Sequence, residues 1–341
     1  MSKQQSNSPV FPLGEPKTFQ DTISGIEGYS SQNGILVGVS SWDKTCKAFL
    51  VNSPTQTQIV GSVNCNSPLT SICKFCKFCE SQFLVGSLNG GVYLWNVQQN
   101  SLQQVGQFND CITSMKPFPE TNSIVISSLD GSLGLLDLNS GNISKMPVNN
   151  KIICMDAKYP YITFHTPNKV EVFNIQSGKL MTDTLIGGQQ STVNSSVQCI
   201  AVFPDRKGIV YGGADGRANV LHFENKSNQY TYAFKAQHKK ISTTQTYYYP
   251  VNSISFYNET IFLTAGSDGV INIWDKNKKS LVNTLTSPIQ NCPITTADFI
   301  CENKFLAYSV GYDWHQGVEG LLQQQVSVPV IKVVDDPLVR L

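Results

Sequence analysis

Charged residues are scarce in this chain, making up 14 % of its 341 residues, against roughly a quarter in an average globular protein. The 25 lysines and arginines almost balance the 24 acidic residues, which leaves a net charge of +1. So small a charge excludes a global field that would draw the protein onto nucleic acid or an anionic membrane. Any basic binding site must therefore be local.

Long apolar runs and sustained helical periodicity are also missing. No uninterrupted apolar stretch approaches the ~18 residues that span a bilayer, so no membrane insertion is expected. The first residues, Met1 to Gln5, are polar and do not resemble a secretory signal. Because the ten cysteines are scattered along the chain, we expect a soluble intracellular protein with reduced thiols.

Motifs that carry catalysis or hold a cofactor are absent as well. The sequence has no phosphate-binding P-loop, no Gly-x-Ser-x-Gly elbow and no dinucleotide fingerprint. Cys73, Cys76 and Cys79 share the spacing of iron–sulfur ligands, but no fourth Cys with a following Pro lies nearby. Phe75 and Phe78 alternate with these cysteines, which favours a structural role. We expect no enzymatic activity, no metal and no cofactor.

One unit recurs along the chain, and it is clearest at Leu263–Asp275, which reads LTAGSDGVINIWD. An apolar strand leads to a pair of small residues, a tight turn, and a second strand that ends in an aromatic residue and Asp or Asn. Asp268 and Gly269 suit the turn, because both residue types tolerate positive φ. The turn residues of the seven copies are Asp43, Asn89, Asp130, Asn168, Asp215, Asp268 and Asp313.

These turns lie 38 to 53 residues apart, around the ~40–45 residues of a four-stranded propeller blade. A further alternating strand precedes most of the units, so each holds at least three strands. Such small sheets cannot bury both faces alone and must stack around an axis. The sequence therefore predicts an all-β fold, a seven-bladed WD-repeat β-propeller over residues 10–341, after a disordered tail at 1–9. A β-sandwich would leave most of the strands unexplained.

Two features stay open in this prediction. Either Val10–Phe19 or Val326–Val334 is suited to close the ring beside the last blade. The long connection Asn225–Pro250 mixes lysines with aromatic residues, a composition that suits an acidic extended peptide or a nucleic-acid strand. Alternatively, Tyr232 and Phe234 belong to the outer strand of blade five and the lysines are merely solvated.

The region from Val197 to Asp275 resembles a specific propeller family, the one shared by the messenger-RNA export factor of the nuclear pore and its mitotic-checkpoint relative. The resemblance rests on the segments CIAVFPDRKGIVYGGADGRANVLHF, YAFKAQHKK, YPVNSISF and TAGSDGVINIWDK. The run Tyr312–Trp314 followed by Gly317, and the pair Tyr159 and Pro160, are similar to the export branch.

This resemblance implies a monomeric scaffold within a complex, which captures a short Glu-containing motif. The partner would be a nucleoporin in the export branch or a checkpoint kinase in the other. Peptide contacts are implied for Lys239 and His238, with Lys235 and Trp42 nearby. Lys239 stands where the family has Arg, so a bidentate guanidinium is replaced by a point charge.

The resemblance also implies that RNA touches Lys276, Lys278 and Lys279, although a charge run in a turn is more often simply solvated. It implies a location in the nucleus, at the nuclear envelope and pore, and also in the cytoplasm. Direct RNA binding as the main activity is a third hypothesis, and it predicts affinity that falls steeply with salt.

Overall fold

Seven four-stranded antiparallel sheets form a closed ring in the computed structural model. In six of the sheets the four strands are consecutive in the chain, and in the seventh the N-terminal strand joins three strands from the C-terminal part of the chain. The innermost strand of each sheet contacts that of the next sheet, and the seventh contacts the first. The predicted seven-bladed propeller is confirmed. The structure describes residues 10–15, 17–31, 34–53, 56–75, 81–148, 150–167, 169–181, 196–223, 231–289, 292–321 and 327–334.

The strands are numbered in chain order, beginning with β1 (Val10–Pro12). Blade one contains β2 (Ile23–Ser31), β3 (Gly34–Ser41), β4 (Thr45–Ser53) and β5 (Gln56–Asn64). Blade two contains β6 (Leu69–Lys74), β7 (Gln82–Ser87), β8 (Gly91–Asn96) and β9 (Ser101–Gln107). Blade three contains β10 (Ile112–Phe118), β11 (Ser123–Ser128), β12 (Ser132–Asp137) and β13 (Ile143–Pro147). Blade four contains β14 (Cys154–Lys158), β15 (Tyr161–Thr166), β16 (Lys169–Asn174) and β17 (Lys179–Leu180).

The second half of the ring adds one hairpin to this plan. Blade five contains β18 (Val197–Val202), β19 (Gly208–Gly213), β20 (Arg217–His222) and β21 (Tyr232–Lys235). A separate two-stranded sheet follows, made of β22 (His238–Lys240) and β23 (Thr246–Tyr248). Blade six contains β24 (Val251–Phe256), β25 (Ile261–Gly266), β26 (Val270–Asp275) and β27 (Ser280–Thr286). Blade seven contains β28 (Ile294–Ile300), β29 (Phe305–Gly311) and β30 (Ser327–Val333), and a 3-10 turn lies at Pro119–Thr121.

The turns between the second and third strands follow the predicted chemistry in part. Gly269 has φ +72°, a left-handed conformation that suits glycine. No aspartate among the described residues has positive φ. Asp268 instead accepts a hydrogen bond from the Val270 backbone N–H at 3.2 Å through its carboxylate. Aspartate therefore acts in this turn through its side chain. Asn168, the turn residue predicted for blade four, lies outside the described residues.

Apolar side chains between neighbouring blades form the core. Between blades one and two, Phe83 and Trp95 are fully buried against apolar residues of the first blade. Gly38 makes this close packing possible, because a Cβ atom at that position would lie 2.8 Å from the Phe83 ring. Burying a Phe side chain contributes roughly 1.5–3 kcal/mol. Interfaces of this kind repeat around the ring and fix the positions of the turns on its two faces.

Both segments considered for ring closure take part in it. β30 lies beside β29 as the third strand of blade seven, and β1 pairs with β30 as the fourth and outermost strand. Phe11 faces Ile331 in this pairing. Leu13, just after β1, is fully buried, and its backbone N–H donates to Pro329 O at 2.8 Å. The N-terminal strand therefore completes the last blade.

A single short helix, α1 (Gly317–Leu321), occurs among the described residues and was not predicted. It lies in the connection between β29 and β30. No helix in the described ranges has the length and apolar character needed to cross a membrane. The tail predicted for residues 1–9 lies outside the described residues.

Candidate functional site

The blade topology sorts the loops onto two faces. We call the upper face the one that carries the turns between the second and third strands and the connections between blades. The lower face carries the other turns. Since all strands are antiparallel, the β3–β4 turn with Trp42 and the hairpin of β22 and β23 are both on the upper face. The β26–β27 turn with Lys276 is on the lower face. The predicted peptide and RNA residues therefore lie on opposite faces.

The hairpin of β22 and β23 joins the outermost strand of blade five to the innermost strand of blade six. Its register pairs His238 with Tyr248, Lys239 with Tyr247 and Lys240 with Thr246. Tyr232 and Phe234 lie in the outer strand of blade five, as one of the two interpretations of this segment predicted. The lysines that follow Phe234 are held by a defined element rather than by a loose loop.

A buried amide anchors the base of the hairpin. Gln237 is fully buried, and its Nε2 donates to Val270 O at 2.7 Å. Its Oε1 accepts from Asn272 Nδ2 at 2.7 Å. Its backbone carbonyl accepts from the Tyr249 N–H at 3.1 Å. Blade six thus fixes where the hairpin leaves the ring.

Three lysines lie in or next to this hairpin: Lys239 and Lys240 in β22, and Lys235 at the end of β21. Among the described residues, no carboxylate lies within 4.0 Å of the ammonium groups of Lys235, Lys239 or Lys240. Lys239 does interact electrostatically with the Asp268 carboxylate. Burial raises the pKa of Asp268 to about 6, and Lys239 opposes part of that rise. The hairpin therefore presents unpaired cations to an incoming acidic group.

Aromatic side chains accompany these cations. The His238 and Tyr248 rings are stacked with centroids 6.3 Å apart, and Lys235 Nζ lies 5.1 Å from the Tyr248 ring centroid. Tyr247 and Tyr248 are 49 % and 42 % exposed, and tyrosine is a residue type enriched at protein interfaces. Lys235 and His238 are thus brought together at the Tyr248 ring, whereas Lys239 is paired with Tyr247 on the other face of the hairpin.

Trp42 lies on the same face but is separated from the hairpin by blades six and seven. It is 39 % exposed, and its backbone N–H donates to Thr22 O at 2.9 Å. Between the two, blade seven exposes Trp314 (47 %) and Val318 (69 %). Neither residue was predicted as a binding residue, although an aromatic residue directly after the Asp313 turn was a usable signal.

A buried carboxylate, Asp313, directly precedes Trp314 in the chain. Asp313 Oδ2 accepts hydrogen bonds from Asn252 Nδ2 at 2.7 Å and Ser267 Oγ at 2.5 Å. Its Oδ1 lies 2.5 Å from His315 Nδ1. Burial raises the pKa of Asp313, but the hydrogen bonds from His315, Ser267 and Asn252 outweigh it and leave the pKa below its usual value. This network connects the exposed segment of blade seven to blade six.

The three lysines predicted to touch RNA differ in their surroundings. Lys276 is buried, with Nζ 3.8 Å from the Phe203 ring centroid and 3.8 Å from Asp205 Oδ2. Burial lowers the pKa of Lys276. Lys278 is exposed, with Nζ 3.4 Å from Asp275, and Lys279 Nζ lies 4.8 Å from the Tyr232 ring centroid. In this arrangement only Lys278 and Lys279 present charge to solvent.

The axial channel contains charged groups that are already paired. Lys116 Nζ lies 3.4 Å from Asp156, whose charge raises the pKa of Lys116 well above its usual value. Such a lysine stays protonated and is a poor nucleophile. Burial also raises the pKa of the Cys73 thiol, which disfavours the reactive thiolate. Cys76 and Cys79 lie outside the described residues, and the described part of the chain holds no cluster of three or more potential metal ligands.

These observations define the class of protein: a WD-repeat β-propeller. The family model "WD domain, G-beta repeat" matches residues 239–275. A solved structure titled "Structure of U3-55K" superposes with a TM-score of 0.75 over 96 % of this chain and 99 % of that chain, at 14 % identity. At so low an identity, the likeness concerns the fold alone.

Within this class, the chain is similar over most of its length to three curated proteins. The "mRNA export factor rae-1" of Caenorhabditis elegans is 23 % identical over 333 residues, which cover 93 % of this chain and 87 % of that protein. "Protein Rae1" of Drosophila melanogaster is 25 % identical over 88 % of this chain and 87 % of its own length. The "Mitotic checkpoint protein bub-3" of C. elegans is 22 % identical over 92 % of this chain and 91 % of its own length. The chain is thus similar over most of its length to propeller proteins named for messenger-RNA export and for the mitotic checkpoint.

Proposed function

We propose that this chain is a non-enzymatic docking platform in messenger-RNA export, which binds a Glu-containing segment of a nucleoporin on its upper face. The relatives named as export factors support the process. The proposed location is the nucleus, at the nuclear envelope and pore, together with a cytoplasmic fraction. The observation that carries the proposed site is a group of three lysines, two in the hairpin and Lys235 just before it, that have no carboxylate within 4.0 Å among the described residues.

The chemistry of the hairpin fits a carboxylate ligand. Lysine binds carboxylates as a point charge, and the neighbouring tyrosines offer contact area with few rotatable bonds. Trp42 and Trp314 extend the same face across blades seven and one. A segment that places glutamates on the hairpin therefore also meets exposed aromatic side chains farther along its path.

The experiment is a pull-down of nucleoporins from nuclear extract, with Lys239→Glu as the variant. A charge-assisted hydrogen bond contributes roughly 1.5–3 kcal/mol, so reversing the charge is expected to weaken binding at least about tenfold. Lys207→Glu is the matched control, because it makes the same charge change at an exposed position on the lower face. Lys239→Arg is expected to retain or increase binding, since the guanidinium forms two parallel bonds to a carboxylate.

Recovery of no nucleoporin by the wild-type protein would contradict the proposal. Equal recovery by Lys239→Glu and Lys207→Glu would show that the site lies elsewhere.

The second candidate is an adaptor for checkpoint kinases, favoured by the bub-3 relative, whose similarity covers as much of the chain as that of the export factors. Localisation decides between them. An export adaptor concentrates at the nuclear rim in interphase, whereas a checkpoint adaptor concentrates at kinetochores in mitosis. Kinetochore staining together with recovery of kinases would favour the second candidate.

A further inference from the structure

The hairpin of β22 and β23 has free backbone edges as well as charged side chains. It is the one sheet among the described residues that has only two strands. Its anchor at Gln237 is buried, yet the residues from His238 to Gln245 are exposed. An exposed, well-anchored strand with an unpaired edge is a template for another strand.

The register shows which backbone groups are available. The Tyr249 N–H donates to Gln237 O at 3.1 Å, and the Ile241 N–H donates to Gln245 O at 3.0 Å. Since hydrogen-bonded and non-hydrogen-bonded pairs alternate in an antiparallel ladder, the Lys239–Tyr247 pair is bonded within the hairpin. The two pairs on either side of it, His238–Tyr248 and Lys240–Thr246, are not bonded to each other. The backbone N–H and C=O groups of these four residues point away from the hairpin.

The edge of β23 is better placed than the edge of β22. β23 leads directly into β24, the innermost strand of blade six, whereas β22 follows the outermost strand of blade five. Just beyond β23, the Tyr249 ring lies 6.3 Å from the His315 ring of blade seven. A strand added to β23 would therefore lie toward the segment that exposes Trp314, across the upper face.

The side chains indicate what the added strand carries. Alternation places His238, Lys240, Thr246 and Tyr248 on one face of the hairpin. Lys235 Nζ, 5.1 Å from the Tyr248 ring, joins that face. Two lysines and a histidine therefore lie where every second side chain of an added strand would point. His238 and Lys240 lie on β22, one strand beyond β23, so acidic side chains at alternate positions of a strand added to β23 meet these cations by reaching across Thr246 and Tyr248, which suits the long side chains of Glu and Lys.

We propose that the partner binds by adding a β-strand to the β23 edge, through the backbone groups of Thr246 and Tyr248, with acidic side chains at every second residue. The identity of the partner rests on the proposed function, whereas the chemistry of the added strand is argued from the hairpin alone. It assigns affinity to main-chain hydrogen bonds and specificity to the spacing of carboxylates. A helical acidic segment would not satisfy it.

The test uses the full chain and two synthetic eight-residue peptides, one with alternating Thr and Glu and one in which Gln replaces each Glu. Thr246→Pro removes an outward N–H that the hairpin itself does not use. Thr246→Ala is the matched control, because it loses the side chain but keeps the N–H. By isothermal titration, the Thr/Glu peptide is expected to bind Thr246→Pro about tenfold more weakly than Thr246→Ala, which corresponds to the loss of roughly one hydrogen bond. The Thr/Gln peptide is expected to bind the wild-type protein more weakly than the Thr/Glu peptide.

Amide hydrogen exchange of the wild-type protein provides a readout that does not depend on the proline variant folding. In the free protein, the Tyr247 amide is expected to exchange slowly and those of Thr246 and Tyr248 quickly. Addition of the Thr/Glu peptide is expected to slow exchange at Thr246 and Tyr248. Failure of that peptide to bind, or binding without this protection, would overturn the proposal.

The two proposals fail separately. If wild-type protein recovers a nucleoporin but Thr246→Pro recovers as much as Thr246→Ala, strand addition is wrong and the docking function stands. If the peptide protects the β23 edge but no nucleoporin is recovered, the binding mode stands and the partner in messenger-RNA export is wrong.

Discussion

Removal of the Asp313 carboxylate is the perturbation whose outcome follows most directly from the structure. The side chain is 10 % exposed and interacts with His315, Ser267 and Asn252. Hydrogen bonds to a charged group contribute roughly 1.5–3 kcal/mol each, and members of one network are not additive. Asp313→Ala is therefore expected to lower the free energy of unfolding by about 3–5 kcal/mol.

Asp313→Asn is the matched, nearly isosteric control. An amide keeps one acceptor oxygen for Ser267 and Asn252 and presents an NH₂ group toward His315, whose tautomer can adjust. The expected loss is about 1–2 kcal/mol. Urea denaturation at pH 7, followed by far-UV circular dichroism, measures both variants. A loss below about 1 kcal/mol for Asp313→Ala would refute the assigned role of the network.

The pH dependence gives an independent check. The folded-state pKa of Asp313 is below its usual value, so its contribution to stability is present above the pKa of the unfolded state. That contribution is lost as pH falls through the lower folded-state pKa. The stability gap between wild type and Asp313→Asn should therefore narrow between about pH 5 and pH 3, since the unfolded-state pKa of Asp is about 3.9. A gap that widens over this range would contradict the argument.

Two further predictions concern the lower face and the closure of the ring. Replacing Lys278 and Lys279 with Gln is expected to weaken RNA binding and to reduce the slope of log affinity against log salt by about 1–2. Lys276→Met is expected to change neither the affinity nor the slope. Filter binding at several salt concentrations measures both. An equal effect of Lys276→Met would mean that, in the wild-type protein, the Lys276 ammonium group moves away from the Phe203 ring to reach RNA. Leu13→Ala is expected to lower the free energy of unfolding by about 2–5 kcal/mol in urea denaturation, because it creates a cavity where β1 completes blade seven. A change below about 0.5 kcal/mol would show that this strand contributes little to closure.

The sequence predicted the fold because its signals are local and repeated. Each turn is specified by a few adjacent residues, as at Gly269, where the φ of +72° needs glycine. Ring closure stayed open because strand patterning reports which residues alternate but not which strands pair. Both β1 and β30 have such patterning, and only the register of Phe11 with Ile331 shows that they lie side by side.

The site was predicted less completely, for physical reasons that differ between residues. Strands of three residues, such as β22, are too short for alternation to be recognised. Burial of Lys276 was not visible beside Lys278, because inward or outward orientation depends on Phe203, which lies in another blade. The contact of Asp313 with Asn252 joins residues that are 61 positions apart, and a single sequence carries no local signal for it.

The pairing of β1 with β30 also affects the order of events during synthesis. Val10 lies opposite Lys332, so β1 emerges from the ribosome long before its partner exists. Blades one to six each consist of strands that are consecutive in the chain, and they can form as soon as those strands emerge. Throughout that interval the β1 edge and the apolar Phe11 remain uncovered on the nascent chain. A chaperone that recognises short apolar strands would have its target in residues 10–13 until translation has passed residue 333.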